Sequence, residues 1–349
     1  MEKYLLEVKK LNVKFNLDNG VVHAVRDVSF NLKEGEVLAI VGESGSGKSV
    51  LTKSLTNLLP PKITEITSEY SRLNGKDLAK LNSREMQEIR GNEISMIFQD
   101  PMTSLNPTMK VGKQIMEQLV IKKKMSKFLA KEKTIKMLEV VGIPNASRRF
   151  NYYPHQFSGG QRQRIVVAMS LILEPKIIIA DEPTTALDVS VQAQVLELFK
   201  KLKQEFKTSI IFITHDLGVV ANIADRVAVM YAGEIIERGT VDEIFYNSKH
   251  PYTWGLIGSM PSLDTSKEVK LSSIPGSPPD LMFPPKGDAF ALRSEYALKI
   301  DLELPPPTYR FSETHSVKSW LYHEDAPKAE PPKIIKDLSK YFDKTSSNS

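Results

Sequence analysis

The chain of 349 residues contains no cysteine, which removes disulfides, thiolate nucleophiles and sulfur-ligated metal centres from the chemistry open to it. Long apolar runs are also missing. The run "IVVAMSLILEPKIIIA", residues 165–180, is broken by Glu174, Pro175 and Lys176 before reaching the roughly 20 residues a bilayer crossing needs, so no segment is expected to span a membrane. A large excess of one charge is absent too. The formal net charge of +5 is too small to argue for nucleic-acid binding, although it could favour an anionic partner or a membrane surface. The opening "MEKYLLEVKKLN" lacks the apolar core and small-residue cleavage site of a signal peptide, so the chain is expected to stay in the cytoplasm.

What is present is ordinary in bulk and organised in detail. With 41% hydrophobic and 26% charged residues, the chain can bury a sizeable core, and its length suggests one large domain plus an accessory piece. The segments "LLEVKKLNVKF" and "VVHAVRDVSFNLKEG" alternate apolar and polar residues around "NLDNG", which predicts antiparallel strands about a turn. The short apolar run "EVLAIVG" reads as a buried strand. It leads through a glycine loop into "KSVLTKSLTNLL", a helix stopped by Pro60 and Pro61. From about Met86 to Phe157 the pattern is helical. Strand patterns return in "KIIIADE", "TSIIFITHD" and "RVAVMYAGEIIERGT" with helices between them, which predicts a parallel sheet covered by helices. After about Asn247 the chain becomes rich in Pro, Ser and Gly, and a loop-rich accessory domain with a frayed end, "DKTSSNS", is expected. The densest basic run, Lys122 to Lys124 followed by Lys127, Lys131 and Lys133, reads as the solvated face of a helix, with contact to acidic lipid headgroups as the other reading.

Gly42, Gly47, Lys48 and Ser49 fit G-x-x-x-x-G-K-[ST] between a predicted strand and a predicted helix. Backbone N–H groups along Glu43, Ser44, Gly45 and Ser46, together with the helix start that carries Val50, would then surround phosphates. Lys48 would reach the outer phosphates and the Ser49 hydroxyl would join a magnesium shell. The plainer alternative is a glycine turn that caps a helix. In "KIIIADEP", Asp181 and Glu182 follow an apolar strand at the sheet edge where ligands bind. Asp181 could support magnesium and Glu182 could polarise an attacking water. His215 in "FITHD" follows a similar strand, either as a structural histidine or as a hydrogen-bond donor to the outermost phosphate. By itself Gln99 in "MIFQDP" reads as a polar loop residue. In "FSGGQRQR", Ser158, Gly159 and Gly160 precede a helix starting near Gln161, which presents N–H groups, a hydroxyl and a positive helix end together. One nucleotide does not need two phosphate-binding helix ends from opposite sides of a protomer, so the second surface is expected to serve another subunit's nucleotide.

These motifs, in this order, resemble the ATP-binding subunits of ABC transporters. "GESGSGKS" is similar to the Walker A loop, Gln99 to the Q-loop, and "FSGGQ" to the signature motif with Phe157 in place of the commoner leucine. "IIIADE" is similar to Walker B, "ALDV" with Asp188 to the D-loop, and His215 to the switch histidine. The resemblance implies an α/β P-loop cassette with a mixed sheet, an antiparallel β subdomain and a helical insertion at about 86–160. It also implies that ATP is held between the Walker A loop of one subunit and the signature motif of another, with Gln99 serving magnesium and the nucleotide. Phe15 lies where the family places an aromatic that stacks on adenine, and a plain core phenylalanine is the competing reading.

"FQDPMTSLNP", "HPYTWGLIGSMP" and "IPGSPPDL" further resemble the oligopeptide and dipeptide importer ATPases, over about Leu6 to Pro327. That implies a partner ATPase, two permeases and an external peptide-binding protein, with residues 1–246 as the cassette, 247–330 as the C-terminal domain and 331–349 as a tail. Importers of nickel and other small solutes use similar ATPases. Soluble ABC proteins acting on nucleic acid usually carry two cassettes, a zinc module or a coiled coil, none of which is found here. Many members of the importer group bind an iron-sulfur cluster through four cysteines. Asp288, Ser294, Asp301 and Ser319 align with those positions, so no cluster is expected.

Overall fold

In the computed structural model, residues 4–185, 187–260 and 274–346 are described, with only the backbone at 101, 102 and 341–346. The chain divides into two compact units made of separated stretches. The first comprises Tyr4–Asn31, Leu38–Ala79 and His215–Ser349, and the second includes Leu32–Val37 and Lys80–Thr214.

In the first unit, the strands Leu6–Leu17 and Gly20–Leu32 form the expected hairpin, with Leu6, Val8, Leu11 and Val13 buried. The strands Thr64–Thr67 and Tyr70–Leu73 pair antiparallel with the first of them, which places Phe15 opposite Thr64. The strand Val37–Val41 is buried throughout, as a strand covered on both faces should be. It runs parallel to Arg226–Tyr231, which pairs antiparallel with Glu234–Thr240. Beyond these lie Ser316–Lys318 and Thr308–Arg310, two short strands from the C-terminal region.

The segment after Asn247 shares the core of the strand that leads into the glycine loop. Ala39 and Val41 belong to one apolar cluster with Tyr252, Trp254, Phe290 and Ile335. The stretch read as a tail contains the helix Lys333–Ser346, whose Ile335 is buried. Ile334, Ile335 and Leu338 recur at helical spacing, Ile335 within this cluster and the other two partly buried against it.

The second unit holds three parallel strands in the order Ser209–Thr214, Ile177–Asp181, Ile94–Ile97. The last lies inside the span expected to be helical. Four apolar residues are too few for periodicity to distinguish strand from helix, and parallel pairing of Ile94 with Ile177 settles the matter here. Around it are the helices Ser83–Asn92, Val111–Lys122, Lys127–Val140 and Gly159–Leu171, in line with the helical reading of this region. The lysines of the basic run are exposed, and Lys122 donates to the carbonyls of Gln87 and Arg90 where the first of these helices kinks.

Candidate nucleotide site

The glycine loop lies in the first unit, between the buried strand Val37–Val41 and the helix Lys48–Leu55. Gly47 is the hinge of the turn. Its φ of 97° is left-handed, and a Cβ there would stand 2.3 Å from the carbonyl oxygen of Ala24, so only glycine fits. Lys48 is buried and folds back across the loop. Its Nζ donates to the carbonyls of Gly42 at 2.7 Å and Glu43 at 2.8 Å, and to the Ser46 hydroxyl at 3.3 Å. A buried ammonium turned across a loop of backbone amides is suited to an anion. Ser44 and Gly45 are exposed at the rim, while Ser49 and Val50 are half-buried on the first helical turn. Phe15 is half-buried on its strand, and His215 is exposed just after Thr214.

In the second unit, Asp181 is buried at the end of Ile177–Asp181, and Glu182 follows with φ 47°. The Glu182 carboxylate accepts from Gln99 Nε2 at 3.0 Å and from Thr185 Oγ1 at 2.9 Å. The structure therefore joins Gln99 to Glu182, two residues that the sequence separates by 83 positions. Ser158 caps the helix Gly159–Leu171 in a reciprocal box with Gln161. The serine hydroxyl accepts from the Gln161 N–H at 3.4 Å, and the Gln161 side chain accepts from the Ser158 N–H at 3.3 Å. Both side chains thus serve their own helix end. Gly159 is exposed, and Gly160 lies so close to Val191 that a Cβ would come within 2.5 Å of its methyl. Asp188 caps the helix Val189–Phe206 through the Val191 N–H, and so the signature segment and the D-loop residue start two neighbouring helices. The Ser190 hydroxyl and the Val191 N–H hold the Asp188 carboxyl below its usual range.

The four residues aligned with cysteines have local duties. Asp288 accepts from the Phe290 N–H, Asp301 from Leu298 and Ser319 from Leu321, while the Ser294 hydroxyl accepts from Tyr296. Burial pushes the Asp301 carboxyl up, and the nearby Asp288 adds to the rise. Sequence reasoning missed two residues that touch the glycine loop itself, Tyr252 and Arg293. Tyr252 Oη accepts from the Glu43 N–H at 2.8 Å, and Arg293 pairs with the Glu43 carboxylate at 2.7 Å. The one available clue was a tyrosine and an arginine set in otherwise apolar or turn-forming stretches.

A loop of this geometry, entered from a parallel strand and left by a helix, with a buried aspartate and a carboxylate ending another parallel strand, belongs to the P-loop nucleotide-binding proteins. Residues 25–185 match the family model described as ABC transporter, and residues 236–300 match the oligopeptide/dipeptide transporter, C-terminal region. The chain is 61% identical to the oligopeptide transport ATP-binding protein OppD of Bacillus subtilis, over 95% of this chain and 93% of that one. It is 56% identical to the dipeptide transport ATP-binding protein DppD of Lactococcus lactis, over 95% and 94%. Among solved structures, a dimeric post-hydrolysis ATP-binding cassette bound to ADP and Pi matches with a TM-score of 0.60 at 28% identity, covering 68% of this chain and 98% of the other. The protein cbiO1 from Clostridium perfringens, part of the ABC transporter complex cbiONQ, matches with a TM-score of 0.59 at 30% identity, over 70% and 92%. The chain therefore belongs to the ABC transporter family, as an ATP-binding and ATP-hydrolysing subunit. The α/β cassette fold expected from its motifs is borne out by these matches.

Proposed function

We propose that this chain is the energy-coupling ATPase of an oligopeptide importer. It works head to tail with a second ATPase subunit, on two membrane permeases supplied by an extracellular peptide-binding protein. The observation that carries the reading is Glu182, a carboxylate held by Gln99 and Thr185 directly after the buried Asp181. What supports the cargo is that the likeness to peptide-transport subunits runs through nearly the whole chain, C-terminal region included. Residues 1–246 would form the cassette and 247–330 the C-terminal domain, with the helix Lys333–Ser346 packed on the latter's core. Among the described residues no helix is long and apolar enough to cross a membrane. The proposed place of work is the cytoplasmic face, with the permeases as anchor.

In the mechanism, ATP lies on the loop from Gly42 to Val50, and Lys48 exchanges carbonyl oxygens for phosphate oxygens. Phe15 stacks on adenine, while Ser158 to Gln161 and Asp188 face the partner subunit's nucleotide. Glu182 polarises the attacking water and His215 hydrogen-bonds the outermost phosphate. A hydroxyl, a carboxylate and an amide oxygen suit a hard cation, so Ser49, Asp181 and Gln99 would hold magnesium. The Nε2 of Gln99 already donates to Glu182, which leaves its Oε1 to face a cation. When bound, the ion supplies charge neutralisation at the phosphates. Binding closes the ATPase pair, hydrolysis and phosphate release part it, and the permeases follow between outward and inward states.

The test is Glu182→Gln in the assembled transporter. ATP turnover should fall about 10²–10⁴-fold with ATP binding retained, and uptake of labelled oligopeptides should stop. Normal turnover in that variant would remove Glu182 from its role. Undiminished peptide uptake in cells lacking the subunit would remove the cargo.

A further inference from the structure

Glu43 raises an electrostatic problem. It is the second residue of the glycine loop, and a bare carboxylate beside a polyphosphate repels it. In the structure the carboxylate is not bare. Arg293, from the C-terminal region, donates Nη1 to Oε2 at 2.7 Å and Nη2 to Oε1 at 3.1 Å, a two-pronged pairing that fixes orientation as well as charge.

Arg293 is itself firmly set. Its Nε donates to the Pro275 carbonyl at 2.7 Å, its Nη1 also donates to the Tyr231 hydroxyl at 3.1 Å, and its side chain is only 6% exposed. The guanidinium lies 5.7 Å from the ring of Tyr231 and 5.9 Å from that of Phe290. Phe290 packs edge to face on both Tyr231 and Tyr252, and the two tyrosine rings are tilted against each other. Burial works against the arginine's charge, and its hydrogen bonds with Glu43 and Tyr231 more than offset this, holding its pKa above the ordinary value.

The backbone of Glu43 is held as well. Its N–H donates to Tyr252 Oη at 2.8 Å and its carbonyl accepts from Lys48 Nζ at 2.8 Å. One loop residue is therefore tethered through its amide, its carbonyl and its carboxylate. Two of the three tethers come from residues beyond 250.

We propose that Arg293 is a positioning residue for ATP binding. Through Glu43 it holds the phosphate loop in the shape that Lys48 requires and cancels the carboxylate's charge beside the phosphates. This rests on the reading that the loop from Gly42 to Val50 binds ATP. The C-terminal region thereby tunes nucleotide affinity from outside the cassette motifs.

The experiment is a double-mutant cycle on the purified full-length chain, titrated with a fluorescent ATP analogue in magnesium buffer. The assembled transporter supplies KM and kcat. Arg293→Ala should weaken nucleotide binding about tenfold and raise KM for ATP in step, with kcat at saturating ATP within about twofold. Arg293→Lys, which keeps the charge but cannot fork, should fall between the two. Glu43→Gln should cost less than Arg293→Ala, because it removes the repelling charge along with the tether. Adding Arg293→Ala to Glu43→Gln should then cost little more, since the partner is already gone. If Arg293→Ala weakens binding equally in both backgrounds, or not at all, the proposal is overturned. Should Arg293→Ala fail to fold, Arg293→Lys completes the same cycle. Lys48→Ala is the control, and undiminished binding there would overturn the reading of the loop itself.

Discussion

His250 sits at the start of the helix Pro251–Gly258 with its ring fully buried. Its Nδ1 accepts from the Tyr252 N–H at 3.0 Å, which places the proton of the neutral ring on Nε2. That atom has no hydrogen-bond partner and lies 3.9 Å from the Asp288 carboxylate. Burial holds the His250 pKa below its ordinary value, with Asp288 and Glu237 pulling the other way. The unfolded chain therefore takes up a proton near pH 6.5, while the folded chain does so only at lower pH. Stability should be undiminished above about pH 6.5 and decline as the pH falls below it. His250→Asn keeps an acceptor for Tyr252 and removes the titration. Thermal melts from pH 8 to 5 should show a shallower loss for that variant, and an unchanged slope would clear His250 of the effect. At this scale the cassette motifs were legible because each is a short stretch whose chemistry is local, as at Lys48 or Asp181. Arg293 and Tyr252 were not legible, because the residue they serve is Glu43, more than 200 positions away.

Among the elements, the helix Lys333–Ser346 stands out as the part of the C-terminal region that the composition hid. The polar "DKTSSNS" at residues 343–349 suggested a frayed end, although "KIIKDL" ahead of it carries apolar residues at helical spacing and the helix runs on to Ser346. Ile335, 1% exposed, joins the core of the strand that leads into the glycine loop. Ile335→Ala should cost about 2–5 kcal/mol of stability, read as a lower denaturant midpoint with an unchanged slope. A loss under about 0.5 kcal/mol would mean the helix is dispensable. The helix expected to start near Gln161 was readable from sequence, and the structure begins it at Gly159 behind the Ser158 cap. The strand Ile94–Ile97 was not readable, since its identity lies in its pairing with Ile177–Asp181 and not in its own four residues.

For the whole molecule, the proposed head-to-tail pairing predicts an association governed by nucleotide. The Glu182→Gln chain, mixed with its second ATPase subunit and ATP, should elute as a stable one-to-one complex, and the complex should part when nucleotide is removed. Light scattering after size exclusion reads the mass directly, and a complex indifferent to ATP would break the proposal. Neither compact unit is a continuous piece of chain. The strand that carries the glycine loop waits for Arg226–Val229 as its parallel partner, and Glu43 waits for Arg293, a sequence separation of 250. At roughly 5–20 residues per second of synthesis, that interval lasts about 12–50 s. The glycine loop is among the first parts of this protein to leave the ribosome and among the last to be finished. A chain that stops short of Arg293 carries every motif of an ATPase around a loop that has not yet been secured.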